Sequence, residues 1–315
     1  MQDILTVTLN PAVDISTSVA KLIPGRKLRC ARPEQDPGGG GTNVARAITF
    51  MGGHCRAFMA LGGLNGRKLS ALMQREEIEM VAFAAPDETR ISLSVIEEAT
   101  GEQYRFVLPG PSWGASDENA VLSAISQAVR DDGFVVLSGS LPVGLPVHFY
   151  ADLCAALKDR AVKVIIDTSG PALEHQVTAP QPAPFILRMD ETEAEQLAGH
   201  PLPERTDTAD FAAGLVADRV ADAVIVARGA EGSVLVGGGR HLHAAAAKVT
   251  VRSKVGAGDS FVAGLTLALA RGGDLGEALQ WGTAAASAAV MSDATQLCRR
   301  ADVERLVPEC ILSEI

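Results

Sequence analysis

The stretch KVGAGDSFVAGL, residues 254–265, sets one carboxylate, Asp259, between a glycine-alanine-glycine turn and a run of apolar residues. Gly256 and Gly258 permit a tight turn, and a helix beginning near Asp259 would point its unbonded N–H groups back at that turn. An anion is attracted to such a place. A carboxylate beside it completes the minimum equipment for moving a phosphoryl group onto a hydroxyl: one acceptor for the hydroxyl proton and several donors for the developing oxygen charge. The same acid would serve equally as a plain helix N-cap, worth about 1 kcal/mol. The two roles are compatible.

A second glycine cluster, PGGGGTNVARAITFMGG at 37–53, runs straight into a helical pattern. Its free amides would also suit an anion, although a flexible turn into a helix reads the same way. It is no dinucleotide fingerprint, because PEQDP rather than a strand precedes it and Asn43 stands at the third glycine position. GGLNGRKL at 62–69 lacks the GK[ST] ending of a P-loop. The protein-kinase motif set, a GxSxG elbow and an HExxH pair are all missing. HLH at 241–243 reads as two residues on one face of a strand.

Composition narrows the partners. The chain has 315 residues, 47% hydrophobic and 21% charged, enough to bury a large core, with alanine and glycine plentiful enough for close packing. A net charge of -10 argues against nucleic acid as a general partner. Yet KLIPGRKLRCAR at 21–32 gathers Lys21, Arg26, Lys27, Arg29 and Arg32 without an acid. That run reads as a solvated basic strand or as a pocket for a small anion. Five cysteines without CxxC spacing suggest reduced thiols, and neither a signal pattern nor a bilayer-length apolar stretch is visible, so a cytoplasmic location is expected.

These residues need a scaffold, and the alternation of elements supplies one. ILTVTL (4–9), FVVLSG (134–139), VKVIID (162–167) and AVIVAR (223–228) read as buried parallel strands. The segments 116–132 and 147–159 carry helical spacing between them, and the chain after 255 reads as helices. A parallel sheet covered on both faces is expected. Residues 13–31 and 89–108 break the rhythm as strands without helices, the second with EATGE as a hairpin turn. They predict a small antiparallel sheet projecting from the body, serving as a lid, a dimer surface or both. APQPAP at 179–184 reads as an ordered loop rather than a domain boundary.

Read together, GGGGTNVARA and VGAGDSFVAG resemble the paired signatures of the ribokinase-like, or PfkB, carbohydrate kinases, and the likeness extends over essentially the whole chain through LTVTLNPAVD, GRKLRC, GEQYRFVLPG, LSGSLP, IIDTSG and TQLC. The resemblance implies one α/β domain over 1–315, a three-layer α/β/α sandwich with a mainly parallel sheet and a small protruding β lid. It also implies ATP-dependent phosphorylation of a sugar phosphate, with fructose 6-phosphate foremost and fructose 1-phosphate or tagatose 6-phosphate as rivals. In that picture Asp259 accepts the proton of the attacking hydroxyl while Gly256, Ala257 and Gly258 donate to the phosphoryl oxygens. Asp14 and Asn43 match the sugar-hydroxyl contacts, and Gly39 and Gly40 let the sugar lie against backbone. Lys27 and Arg90 match positions that hold the substrate's phosphate, with Arg105 beside them. RGAEG at 228–232 resembles the nucleotide loop, placing Gly229 and Gly232 there, although a plain turn between strands reads the same.

The chain departs from the family pattern at LRMDETEAEQL, 187–197, where relatives commonly show a KPNxxE-like run. Arg188 replaces lysine on the nucleotide side and keeps the charge. Asp190 replaces asparagine and, with Glu193, would hold Mg2+ through water. Lys254 and Ala227 also stand where relatives carry polar residues of other kinds. K+ is a further cofactor of the resemblance, but Ala294 stands where close relatives tend to have glycine, which counts against a monovalent-cation loop. A homodimer through the lid is expected. The rival from another class is a sugar-phosphate-binding protein whose RMDETE segment has lost turnover. An intact GAGD opposes it, since binding alone needs no base.

Overall fold

The apolar runs form strands, and the alternation of side chains along them builds two cores at once. The structure is a computed structural model that describes residues 1–179, 182–292 and 296–315. In chain order the first half runs β1 (Ile4–Thr8), β2 (Ala12–Val19), β3 (Glu34–Gly38), α1 (Gly40–Phe50), β4 (Arg56–Leu61), α2 (Gly63–Arg75), β5 (Glu79–Ala84), β6 (Arg90–Glu97), β7 (Gln103–Val107), α3 (Ala115–Ala128), β8 (Phe134–Ser138) and α4 (Phe149–Leu157). The second half runs β9 (Lys163–Asp167), α5 (Pro171–Thr178), β10 (Ile186–Asp190), α6 (Glu191–Ala198), α7 (Arg205–Ala217), β11 (Ala223–Ala227), β12 (Ser233–Gly237), β13 (Arg240–Ala244), α8 (Ala257–Ala270), α9 (Leu275–Ala289), α10 (Arg300–Leu306) and β14 (Leu312–Glu314).

The large sheet has the order β14-β13-β12-β11-β10-β9-β8-β1-β4-β5. From β11 to β5 every neighbour is parallel, and the last three strands return antiparallel. Along β8, Phe134 and Val136 enter one core while Val135 and Leu137 enter the other. Helices α1, α2, α8, α9 and α10 cover the first face and α3 to α7 the second, giving the expected three layers.

Helix α8 answers for its own composition. Every residue from Ser260 to Ala270 is buried, so the helix is apolar all round because it runs inside the core. Small residues let α9 approach it. A Cβ on Gly264 would lie 2.6 Å from the Trp281 carbonyl oxygen, and one on Gly282 would lie 3.0 Å from that of Phe261. Only the first turn of α8, with Gly258 and Asp259, is left partly open.

The small sheet has the order β3-β2-β6-β7. Its outer pairs are antiparallel, as the hairpin turn at 98–102 anticipates, but the central pair β2–β6 is parallel. The chain leaves the body after β1 and again after β5, and each excursion contributes one central strand. Residues 20–33, expected to continue the first lid strand, carry none. Pro24 and Pro33 lack the amide that a ladder requires, and Gly25 takes a left-handed φ of 73°. The third strand is β3 instead, EQDPG, so the segment before the glycines, expected not to be a strand, is one; it tolerates Pro37 because it lies on the edge of the sheet.

Candidate active site

The mouth of α8 is built by its glycines. Gly256 precedes the helix at φ 76°, a left-handed conformation that turns the chain into the first helical residue and is costly for side chains bearing a Cβ. The amides of Gly258 and Asp259 lie in the first turn, where helix geometry provides no acceptor, while that of Ala257 donates to the Lys254 carbonyl oxygen at 3.4 Å. Asp259 is partly buried here, and Asn43 of α1 donates from Nδ2 to its Oδ2 at 2.9 Å. Burial pushes the Asp259 carboxyl up from 3.8 to about 7, and the negative charge of Asp167 pushes the same way. Asn43 and Arg188 partly oppose the rise. The result is a carboxylate poised near neutrality, the range in which a proton acceptor works best.

Asp167 ends β9 at the carboxyl edge of the parallel strands, where ligands of open α/β sheets bind. Its Oδ1 accepts from Arg188 Nη1 at 2.9 Å and its Oδ2 accepts from Ser138 Oγ at 3.2 Å. Burial works against the Arg188 charge, but Asp167, aided by Glu193 and Asp190, more than restores it and raises the Arg188 pKa. The guanidinium lies over the Phe261 ring at 5.9 Å, and a Cβ on Gly258 would lie 3.3 Å from its Nη1. Its Nε is buried and meets no acceptor among the described residues. A cation with an unspent donor beside the first-turn amides of Gly258 and Asp259 suits phosphate oxygens.

Asp190 and Glu193 form a reciprocal capping box at the start of α6. The Glu193 amide donates to Asp190 Oδ1 at 2.9 Å, and the Asp190 amide donates to Glu193 Oε2 at 2.8 Å. Burial leads the rise of the Glu193 carboxyl. Each acid keeps its second oxygen clear of this box. That donor set fits Mg2+, which is usually held by one or two carboxylates together with waters and substrate phosphates.

The small sheet supplies the other wall. Its register pairs Ala12 with Arg90, Asp14 with Ser92 and Ser94 with Arg105, so the period of two places Asp14, Arg90 and Arg105 on one face. Burial raises the Asp14 carboxyl to about 6 against the pull of Arg90, Arg105 and Arg46. Burial lowers the Arg90 pKa, with Asp14 opposing and Arg105 reinforcing the fall. Arg90 Nε donates to the Asn10 carbonyl oxygen at 3.2 Å, which fixes it at the root of the sheet. The negative charge of Asp14 also adds, as the smallest of the named influences, to the rise of the Asp259 carboxyl.

Gly39 and Gly40 are held by packing within the protein: a Cβ on Gly39 would lie 2.8 Å from Thr8 Cγ2, and one on Gly40 would lie 2.5 Å from Ser138 Oγ. Lys27 is exposed on the strandless 20–33 segment. Gly229 and Gly232 bracket a short 3-10 turn between β11 and β12. The preceding Arg228, with a side chain 1% exposed, pins that turn to the α6–α7 connection through the carbonyl oxygens of Leu202 and Pro203. Ala294 lies outside the described residues. Asp167 and Ser138 escaped residue-by-residue selection, although both end strands in IIDTSG and LSGSLP, where the parallel-sheet rule points.

The chain matches the pfkB family carbohydrate kinase profile over residues 4–302. It belongs to that family. Among its relatives is the ATP-dependent 6-phosphofructokinase isozyme 2 of Mycobacterium tuberculosis (strain ATCC 25618 / H37Rv), 36% identical over 302 residues, covering 96% of this chain and 88% of that protein. The 1-phosphofructokinase of Xanthomonas campestris pv. campestris is 32% identical over 308 residues, covering 97% and 94%. The crystal structure of phosphofructokinase-2 from Escherichia coli in complex with substrates and products superposes with a TM-score of 0.90 at 33% identity, covering 98% of this chain and 99% of that one. A pfkB kinase fold therefore carries the Asn43–Asp259 pair, the Asp167–Arg188 pair and the face of the small sheet bearing Asp14 and Arg90. No helix among the described residues is long and apolar enough to cross a membrane.

Proposed function

We propose that the protein transfers the γ-phosphoryl group of ATP to the free primary hydroxyl of fructose 6-phosphate, giving fructose 1,6-bisphosphate and ADP. The observation that carries this reading is the half-buried Asp259, held by Asn43 and poised near pH 7 at the amide-rich mouth of α8. Asp259 takes the hydroxyl proton as the sugar oxygen bonds to the γ-phosphorus in line with the departing ADP oxygen. The first-turn amides and Arg188 meet the charge that gathers on the transferring group. Asp14 and Asn43 orient sugar hydroxyls, Arg90 and Arg105 hold the phosphate already present, and Lys27 joins them when the small sheet closes. Gly229 and Gly232 border the nucleoside. Asp190 and Glu193 would hold Mg2+, which when bound neutralises phosphate charge.

Closure of the small sheet over the sugar keeps water from the γ-phosphate. Its outer strand β7 is exposed along its whole length, with Tyr104 and Phe106 apolar and open to solvent. A second copy covering this surface gives the homodimer. The test is ADP production with purified protein against fructose 6-phosphate, fructose 1-phosphate, tagatose 6-phosphate and ribose, with and without Mg2+. Fructose 6-phosphate should give the highest kcat/KM. A higher value for fructose 1-phosphate or tagatose 6-phosphate replaces the substrate, and no turnover with any sugar phosphate refutes the kinase reading of this cleft.

A further inference from the structure

We infer that Glu118, His148, Asp152 and His175 form a binding site for a divalent transition-metal ion of the zinc class, outside the phosphate cleft. Among the described residues one group of histidine, cysteine and carboxylate side chains brings its donor atoms together: Glu118, His148 and Asp152, all within 4.8 Å of one another. They come from two helices. Glu118 lies in the first turn of α3, His148 precedes α4, and Asp152 follows it by one helical turn. His148 makes no side-chain cap bond to α4. Its Nδ1 instead lies 2.7 Å from Asp152 Oδ2, a spacing that needs little opening for both atoms to meet one ion.

A third helix brings a second imidazole beside this group, outside the three donors that lie within 4.8 Å of one another, so that it joins the ion by turning inward. The His175 ring of α5 lies with its centroid 6.0 Å from that of His148, at an interplanar angle of 56°. Two imidazoles on one tetrahedral ion, with metal–nitrogen bonds of about 2.0–2.1 Å, have ring centres about 5–6 Å apart. Two nitrogen and two oxygen donors favour zinc, nickel or cobalt over magnesium, which prefers an all-oxygen shell. His148 and Asp152 are each about half exposed, with side-chain exposures of 48% and 46%, so the ion has an open path and the side chains have room to turn inward. The four lie on or beside α3, α4 and α5, whereas the residues assigned to sugar and nucleotide lie on other elements.

The test uses full-length protein carrying Cys30→Ser, which removes the exposed thiol, in buffer without nucleotide. Zn2+ alone is titrated against a chromogenic chelator, and Co2+ alone is followed by its visible absorption. The expected result is one ion per chain, with affinity falling at least about tenfold in His148→Ala, in Glu118→Gln and in His175→Ala. Mg2+-supported kinase activity of His148→Ala should match the parent, which shows that the variant is folded. Absence of stoichiometric uptake, or uptake unchanged in all three variants, overturns the site.

Discussion

Replacing Asp259 with Asn should cripple turnover and yet strengthen the fold at alkaline pH. The Asp259 carboxyl stands near 7 in the folded protein against an ordinary 3.8, about three pKa units at about 1.4 kcal/mol each. Holding the charge in the cleft therefore costs at most about 4 kcal/mol, and solvent reaching this partly open residue reduces the figure. Because the folded pKa is the higher one, the folded state binds the proton more tightly. Its stability contribution is full below about pH 4 and is lost as pH rises through 7. Asn copies the shape of the protonated acid and can still accept from Asn43, so the variant escapes that loss. Its stability advantage should widen between about pH 5 and pH 8, measured by urea unfolding without ligands. Loss of the proton acceptor should lower kcat by about 10²–10⁴-fold with little change in sugar KM. Turnover within tenfold of the parent, or a stability gap that does not widen with pH, would refute the reasoning.

Removing the negative charge beside Asp259 should ease its ionisation: in Asp167→Asn the acidic limb of the kcat/KM profile, expected near pH 7 in the parent, should move to lower pH. Arg90→Ala should raise KM for fructose 6-phosphate by about 10–100-fold, the worth of a charge-assisted contact, while kcat stays within a few-fold in steady-state assays. Asp190→Asn should alter the Mg2+ concentration giving half-maximal rate; an unchanged value would remove Asp190 from the metal role. Arg228→Ala should destabilise the fold by about 3–5 kcal/mol in urea titrations, because it strips a buried cation from Glu191, Glu231 and two carbonyl oxygens.

Periodicity carried most of the architecture. Runs such as FVVLS and KVIID have no polar alternation because both faces of their sheet are covered, and that is visible in residue types alone. The small sheet was harder. Its central strands alternate legibly in RISLSV, but β3 is EQDPG, whose residues disfavour strands and which pairs with β2 only because the tertiary arrangement places it there. A hairpin reading also favours antiparallel neighbours, whereas β2 and β6 lie 71 or more residues apart in sequence and meet in parallel. The site shows the same division. Asp259 is announced by its glycines, while Asp167 and Ser138 are ordinary strand-end residues whose importance comes from meeting Arg188. The glycines at 39 and 40 illustrate a reverse ambiguity: a residue without a side chain serves a ligand or a neighbouring strand equally well, and Thr8 and Ser138 crowd only the side on which a Cβ would project.

The parallel pairing of β2 with β6 has a mechanical consequence. Each of the two excursions enters and leaves the body, so the wall bearing Asp14 and Arg90 hangs from four covalent struts rather than from a single hinge. Such a mounting permits a shared tilt but resists twisting or peeling, which keeps Asp14, Arg90 and Arg105 in fixed relation to one another.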